Sequence, residues 1–128
     1  MRAPGATPEE LGVEPVSSPE ELERCARIVN DVSVRSDLPD YVVRLLKATR
    51  DTASLVLGAS PRAGVMLLRA SKVVASLAGR DFVTPDDIKG VFVPCLRHRV
   101  ALDPAEEIEG VSADQVLTRI LDSVEVPR

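Results

Sequence analysis

The stretch "LVLGASPRAGVMLLRASKVVASLAGRDFVTPDD", Leu55 to Asp87, decides how this chain is read. Gly58, Ser60 and Pro61 form a helix start: serine caps the end and proline suits the first helical position. Ala63, Leu67, Ala70, Val74 and Leu77 then recur at helical spacing and predict a buried stripe. Gly64 costs ~1 kcal/mol against alanine inside a helix, which points to a close approach by another element. Gly79 stands where a left-handed C-cap belongs. "RDFV" is too short for a helix and reads as extended. A second helix opens at Thr84, with Pro85 in first position and Asp86 and Asp87 in the favourable first turn.

Working outward, "SSPEELERCARIVNDV" carries a capping box in Ser18 and Glu21, with Leu22, Cys25, Val29 and Val32 on one face. "SDLPDYVVRLLKATRDT" starts at Ser36 or Asp37. It turns Val42, Leu45, Leu46 and Thr49 inward, and Asp40, Arg44, Lys47 and Asp51 to water. Pro94 should kink or end the helix that begins at Thr84. "VAL", 100–102, is a second short extended candidate that could pair with Phe82 and Val83. "DPAEEIEG" reads as an acidic loop. The last helix runs from Ser112, with Val116, Leu117, Ile120, Leu121 and Val124 inward. The expected fold is all-α: an orthogonal bundle of about five helices with at most one short two-stranded ribbon. Residues 1–17, rich in proline, glycine and acid, read as an irregular segment or linker ahead of a helical domain over 18–128.

The 128 residues suit one domain, and 45% hydrophobic with 28% charged residues is ordinary for a globular chain. No apolar run approaches the ~20 residues of a membrane span, and the N-terminus lacks a signal-peptide core. A cytoplasmic protein is the expectation. The net charge of -4 and 2% aromatic content argue against nucleic-acid binding by phosphate neutralisation or base stacking. Cys25 and Cys95 are expected to be reduced and buried.

Arg62 is the anomaly. A cation in the first turn of a helix is unfavourable by ~0.3–1 kcal/mol. The other starts carry acids: Glu20 and Glu21, Asp40, Asp86 and Asp87. Either Arg62 is a harmless exposed side chain, or guanidinium and helix end together await an anion, for which phosphate is well suited. Cys95 and His98 are three apart, but one such pair completes neither a four-ligand zinc site nor a nucleophile with its orienting group. The cluster Arg97, His98 and Arg99 fits a helix C-terminus, where cations are favourable. There is no GxxxxGK[ST], GxGxxG or CxxC.

"ATR" at 48–50, "LGASPRA" at 57–63, "GRDFVTPDDI" at 79–88 and "HR" at 98–99 together resemble the C-terminal helical lid of MoxR-type AAA+ ATPases. The resemblance covers roughly Pro15 to Pro127. It implies a lid packed against a nucleotide held by a preceding α/β domain. Arg62 falls at the sensor 2 position, where an arginine reaches the terminal phosphates of ATP. Ser60, Pro61 and Ala63 flank it, and Arg50 is a lesser candidate for the nucleotide or a neighbouring subunit.

The resemblance further implies ATP and Mg2+ in a longer parent, a chaperone-like homo-oligomeric ring, and partners carrying von Willebrand factor A domains. The phosphate-binding loop and its α/β core are not in this sequence. The chain therefore reads as a piece of a larger ATPase, not expected to hydrolyse ATP alone. Two rival readings are a histone-fold-like nucleic-acid module and a free-standing helical adaptor.

Overall fold

The computed structural model describes Gly5 and residues 7–127. After a 3-10 turn at Glu9–Leu11 come α1 (Pro19–Asp31), α2 (Asp37–Asp51) and β1 (Leu55–Leu57). There follow α3 (Pro61–Leu77), α4 (Pro85–Leu96), β2 (Ala101–Leu102), α5 (Pro104–Ile108) and α6 (Ala113–Ser123). It is a helical bundle with one antiparallel ribbon, β1 against β2, in which Leu55 faces Leu102 and Leu57 faces Ala101. The core lies among α2, α3, α4 and α6. Tyr41, Leu45, Leu67, Ile88, Phe92, Leu96 and Leu117 are fully buried there.

The helix ends follow their caps. The side chains of Ser18, Ser60, Thr84 and Ser112 each accept the backbone N–H three residues on, and Glu21, Asp87 and Gln115 return the bond to complete capping boxes. α2 differs: Ser36 makes no side-chain cap, and Asp37 instead meets Arg35 in a two-pronged ion pair at 2.6 Å. Gly79 adopts φ 72°, the left-handed C-cap expected of it.

Several expectations are corrected. "VAL" pairs with β1 and not with Phe82 and Val83. α4 stands between these segments, and its 12 residues carry the chain ~18 Å away at 1.5 Å per residue. Phe82 bridges Ser33 in parallel instead, through Ser33 N–H to Asp81 O and Val83 N–H to Ser33 O. The acidic loop contains α5, capped by Asp103, whose carboxylate accepts the Ala105 N–H at 2.9 Å. The described helices therefore number six. α4 runs through Pro94 and ends two residues later.

The buried face of α3 is Ala63, Gly64, Leu67, Ser71 and Ala75, whereas Leu77 is 83% exposed. Four-residue steps follow one ridge of the helix. The sequence pattern conceals this because Ser71 is polar; its hydroxyl is satisfied by donating to Leu67 O at 2.9 Å. α1 departs furthest. None of its residues is buried, Leu22 is 64% exposed, and of its expected face only the C-cap Val32 reaches the core. Cys25 is accordingly exposed and Cys95 half-buried, both as free thiols.

Candidate functional site

The end of α2 and the start of α3 are fastened together by small residues and one buried hydroxyl. Thr49, with no exposed surface, donates from Oγ1 to Leu46 O at 2.7 Å and accepts the Ala59 N–H at 2.9 Å. That pins the connection from β1 onto the last turn of α2. Gly58 lies so close to α2 that a Cβ there would sit 2.6 Å from Thr49 O and from Arg50 Cγ. Gly64 does the same within the first turns of α3, where a Cβ would meet Leu46 Cδ1 at 2.7 Å. The close approach expected at Gly64 is therefore made by α2.

This clamp fixes where α3 begins. Ser60 Oγ accepts the Ala63 N–H at 3.4 Å, and Pro61 has no N–H to offer. The helix end thus presents little free backbone, and the positive charge there resides mainly on the Arg62 guanidinium. Arg62 is exposed, forms no ion pair among the described residues, and shares its first turn with no acid. The other five helices each have one or more acids in that turn.

Arg50 packs its stem across Gly58 and directs Nε toward Leu46 O at 3.4 Å. It shares with Pro61 a groove of about 290 Å³ whose other walls include Val43, Leu46, Val65 and Leu68. The structure therefore brings Arg50 and the start of α3 to one end of the bundle; Arg62 does not line that groove. Arg97 lies elsewhere, paired with Asp114 at 2.9 Å at the start of α6.

Sequence reasoning misses the role of two residues that hold this frame. Thr49 falls on the inward face as expected, but a polar residue on an apolar face is itself the signal of a bond to another segment. The second is Arg80, whose guanidinium grips both oxygens of Asp87 at 2.8 and 2.6 Å and also donates to Phe82 O at 3.0 Å. Asp87 further accepts the Thr84 N–H and hydroxyl at 2.8 and 2.9 Å. Chiefly through the Arg80 contact, its carboxyl is held down at about 2. This cluster sets the turn between α3 and α4.

The AAA lid domain family matches residues 47–120, a span that runs from the clamp on α2 through α3 and α4 into α6. The chain belongs to the AAA lid domain family. Among relatives of this lid, the uncharacterized protein YeaC of Bacillus subtilis is 35% identical over 115 residues, covering 90% of this chain and 36% of YeaC. Chaperone MoxR1 of Mycobacterium tuberculosis is 33% identical over 132 residues, covering 92% of this chain and 35% of MoxR1. A crystal structure from Cytophaga hutchinsonii, described provisionally as an ATPase, superposes with a TM-score of 0.75 at 32% identity. It covers 80% of this lid and 34% of that chain. The lid thus spans little more than a third of these relatives. Among the described residues no helix is long and apolar enough to cross a membrane.

Proposed function

We propose that this lid senses the nucleotide of a MoxR-type AAA+ ATPase through Arg62 at the sensor 2 position. The parent would bind ATP with Mg2+ on an α/β core outside this chain. It would assemble as a chaperone-like homo-oligomeric ring in the cytoplasm, working with proteins that carry von Willebrand factor A domains. The observation that carries the reading is the unpaired, exposed Arg62 on a helix start without acid.

The donor set fits the phosphate end of a nucleotide: a guanidinium for bidentate contact, and no carboxylate in the turn to repel an anion. When bound, ATP would supply a γ-phosphoryl group whose negative charge is spread over three oxygens as it transfers. Arg62 holds and stabilises that charge, while Ser60 and Pro61 orient the turn that presents it. Loss of the phosphate removes the contact, so nucleotide has different affinities for two lid positions, which a switch requires. Arg50 and the half-exposed Val43 and Val65 offer the core a surface beside the sensor. Magnesium ligands are to be sought on the core, not on this lid.

The test is Arg62→Ala in the full-length ATPase. Hydrolysis should fall by ~10²-fold or more, as when one donor to transition-state charge is lost. The same change in this chain should not lower its melting temperature, because Arg62 is exposed and unpaired and a cation in the first turn is unfavourable. Arg62→Lys should restore the rate only partially, since lysine keeps the charge without the bidentate fork. Wild-type hydrolysis and nucleotide affinity in Arg62→Ala would sink the assignment.

A further inference from the structure

α1 is amphipathic yet buries none of its 13 residues. A helix of that length is marginal in water without packing, so an uncovered apolar side requires an explanation. Its inner side does not close on α3. Between α1, α3 and the end of α4 runs an open groove of about 810 Å³, bridged by Lys72, whose Nζ donates to Asn30 O at 2.8 Å. The floor is apolar, built from Ala26, Val29, Met66, Ala70, Val73 and Pro94.

The fixed charges of the rim, on Arg69, Lys72 and Arg99, are of one sign. Arg69, Lys72, His98 and Arg99 line the groove, and among the described residues no carboxylate does. That runs against the composition of a chain with 20 acids to 16 lysines and arginines. Arg24, Arg27, Arg80 and Arg97 are engaged in ion pairs, whereas Arg69 and Arg99 form none among the described residues. An apolar floor flanked by unpaired arginines complements a ligand that is apolar on one side and anionic at its margins.

We propose that this groove docks a short acidic, amphipathic helix of a partner protein. The eight residues from Met66 to Val73 extend ~10 Å along α3, the length of two helical turns. Apolar side chains at i, i+3 or i+4, and i+7 rest on the floor. Flanking Asp and Glu meet Arg69 and Arg99. A nucleic acid would place phosphates against the net negative remainder of the molecule, which a peptide of two turns avoids. Arg62 does not line the groove, and docking there requires no nucleotide.

Cys25 and Cys95 also line the groove, so occupancy can be read from thiol labelling. The probe is a capped peptide of about four helical turns with leucine on one face and glutamate elsewhere. Its lysine counterpart is the control. The acidic peptide should bind this chain with a dissociation constant in the ~10–100 µM range and protect Cys25 from N-ethylmaleimide. Binding should weaken as salt is raised. Arg69→Glu with Arg99→Glu should weaken it at least ~10-fold, while Arg119→Glu, on an exposed arginine outside the groove, should not.

The proposal is overturned by salt-insensitive binding of the wild-type chain, by equal affinity for the lysine peptide, or by no protection of Cys25. Self-association abolished by the double reversal would assign the groove to a second copy instead. Protection of Cys25 in the full-length ATPase without peptide would assign it to the parent's own domains.

Discussion

Asp87 has two tasks: it closes the cap of α4 and receives Arg80 from the end of α3. Its carboxylate is 6% exposed and accepts bonds from Arg80 and Thr84. Held at about 2 against an ordinary 3.8, it binds protons less readily in the folded chain than in the unfolded one. Its stabilisation is therefore complete above pH 3.8 and is lost as pH falls through 2. The difference corresponds to about 2 kcal/mol, which screening at the more exposed Arg80 reduces to ~1–2 kcal/mol. Asp87→Asn should lose about that much in urea unfolding at neutral pH. The gap from wild type should close as the pH approaches 2. A gap that stays constant with pH would mean the carboxylate's charge is not what holds the turn.

At the scale of elements, one substitution takes opposite signs at two glycines, Gly58 in the α2–α3 clamp and Gly90 in α4. At Gly58 a Cβ would collide with backbone, Thr49 O at 2.6 Å and Arg50 Cα at 2.8 Å, neither of which can rotate away. Gly58→Ala should cost ~1–3 kcal/mol, the range of overpacking. Gly90, inside α4, has nothing within 4 Å of its missing Cβ. Gly90→Ala should therefore gain ~1 kcal/mol from helix propensity alone. Chemical denaturation of both variants checks the pair, and equal shifts would show that α2 and α3 yield to the extra methyl.

Local chemistry is legible in the sequence at this scale. Ser18, Ser60 and Thr84 announce their caps, Gly79 its left-handed turn, Gly64 its close neighbour, and Arg62 its unusual place. What the sequence hides is long-range. Nothing in "VAL" distinguishes β1 from "RDFV" as a pairing partner, because both are short and offer apolar residues for pairing. Asp87 reads as a first-turn acid whether or not Arg80 reaches it. Arg62 is visible as an oddity, yet local physics cannot choose between a solvated side chain and an anion ligand.

Across the whole molecule the stability is uneven, and α1 shows it. α2, α3, α4 and α6 share one core, whereas α1 contributes to it through its C-cap Val32 and leans on α3 across an open groove. Its polar ties are the Lys72 bond to Asn30 O and the Ser33 bridge to the segment of Asp81–Val83. Local opening free energies track buried apolar contact, so α1 should open without unfolding the rest. Native-state hydrogen exchange should show the amides of Cys25 to Asn30 exchanging well before those of Leu45, Leu67 and Phe92. A ligand seated in the groove binds the closed form of α1 preferentially and should slow α1 exchange by mass action, leaving core exchange less affected. Exchange of α1 only through global unfolding, with or without the acidic peptide, would show that α1 belongs to the core despite its exposure.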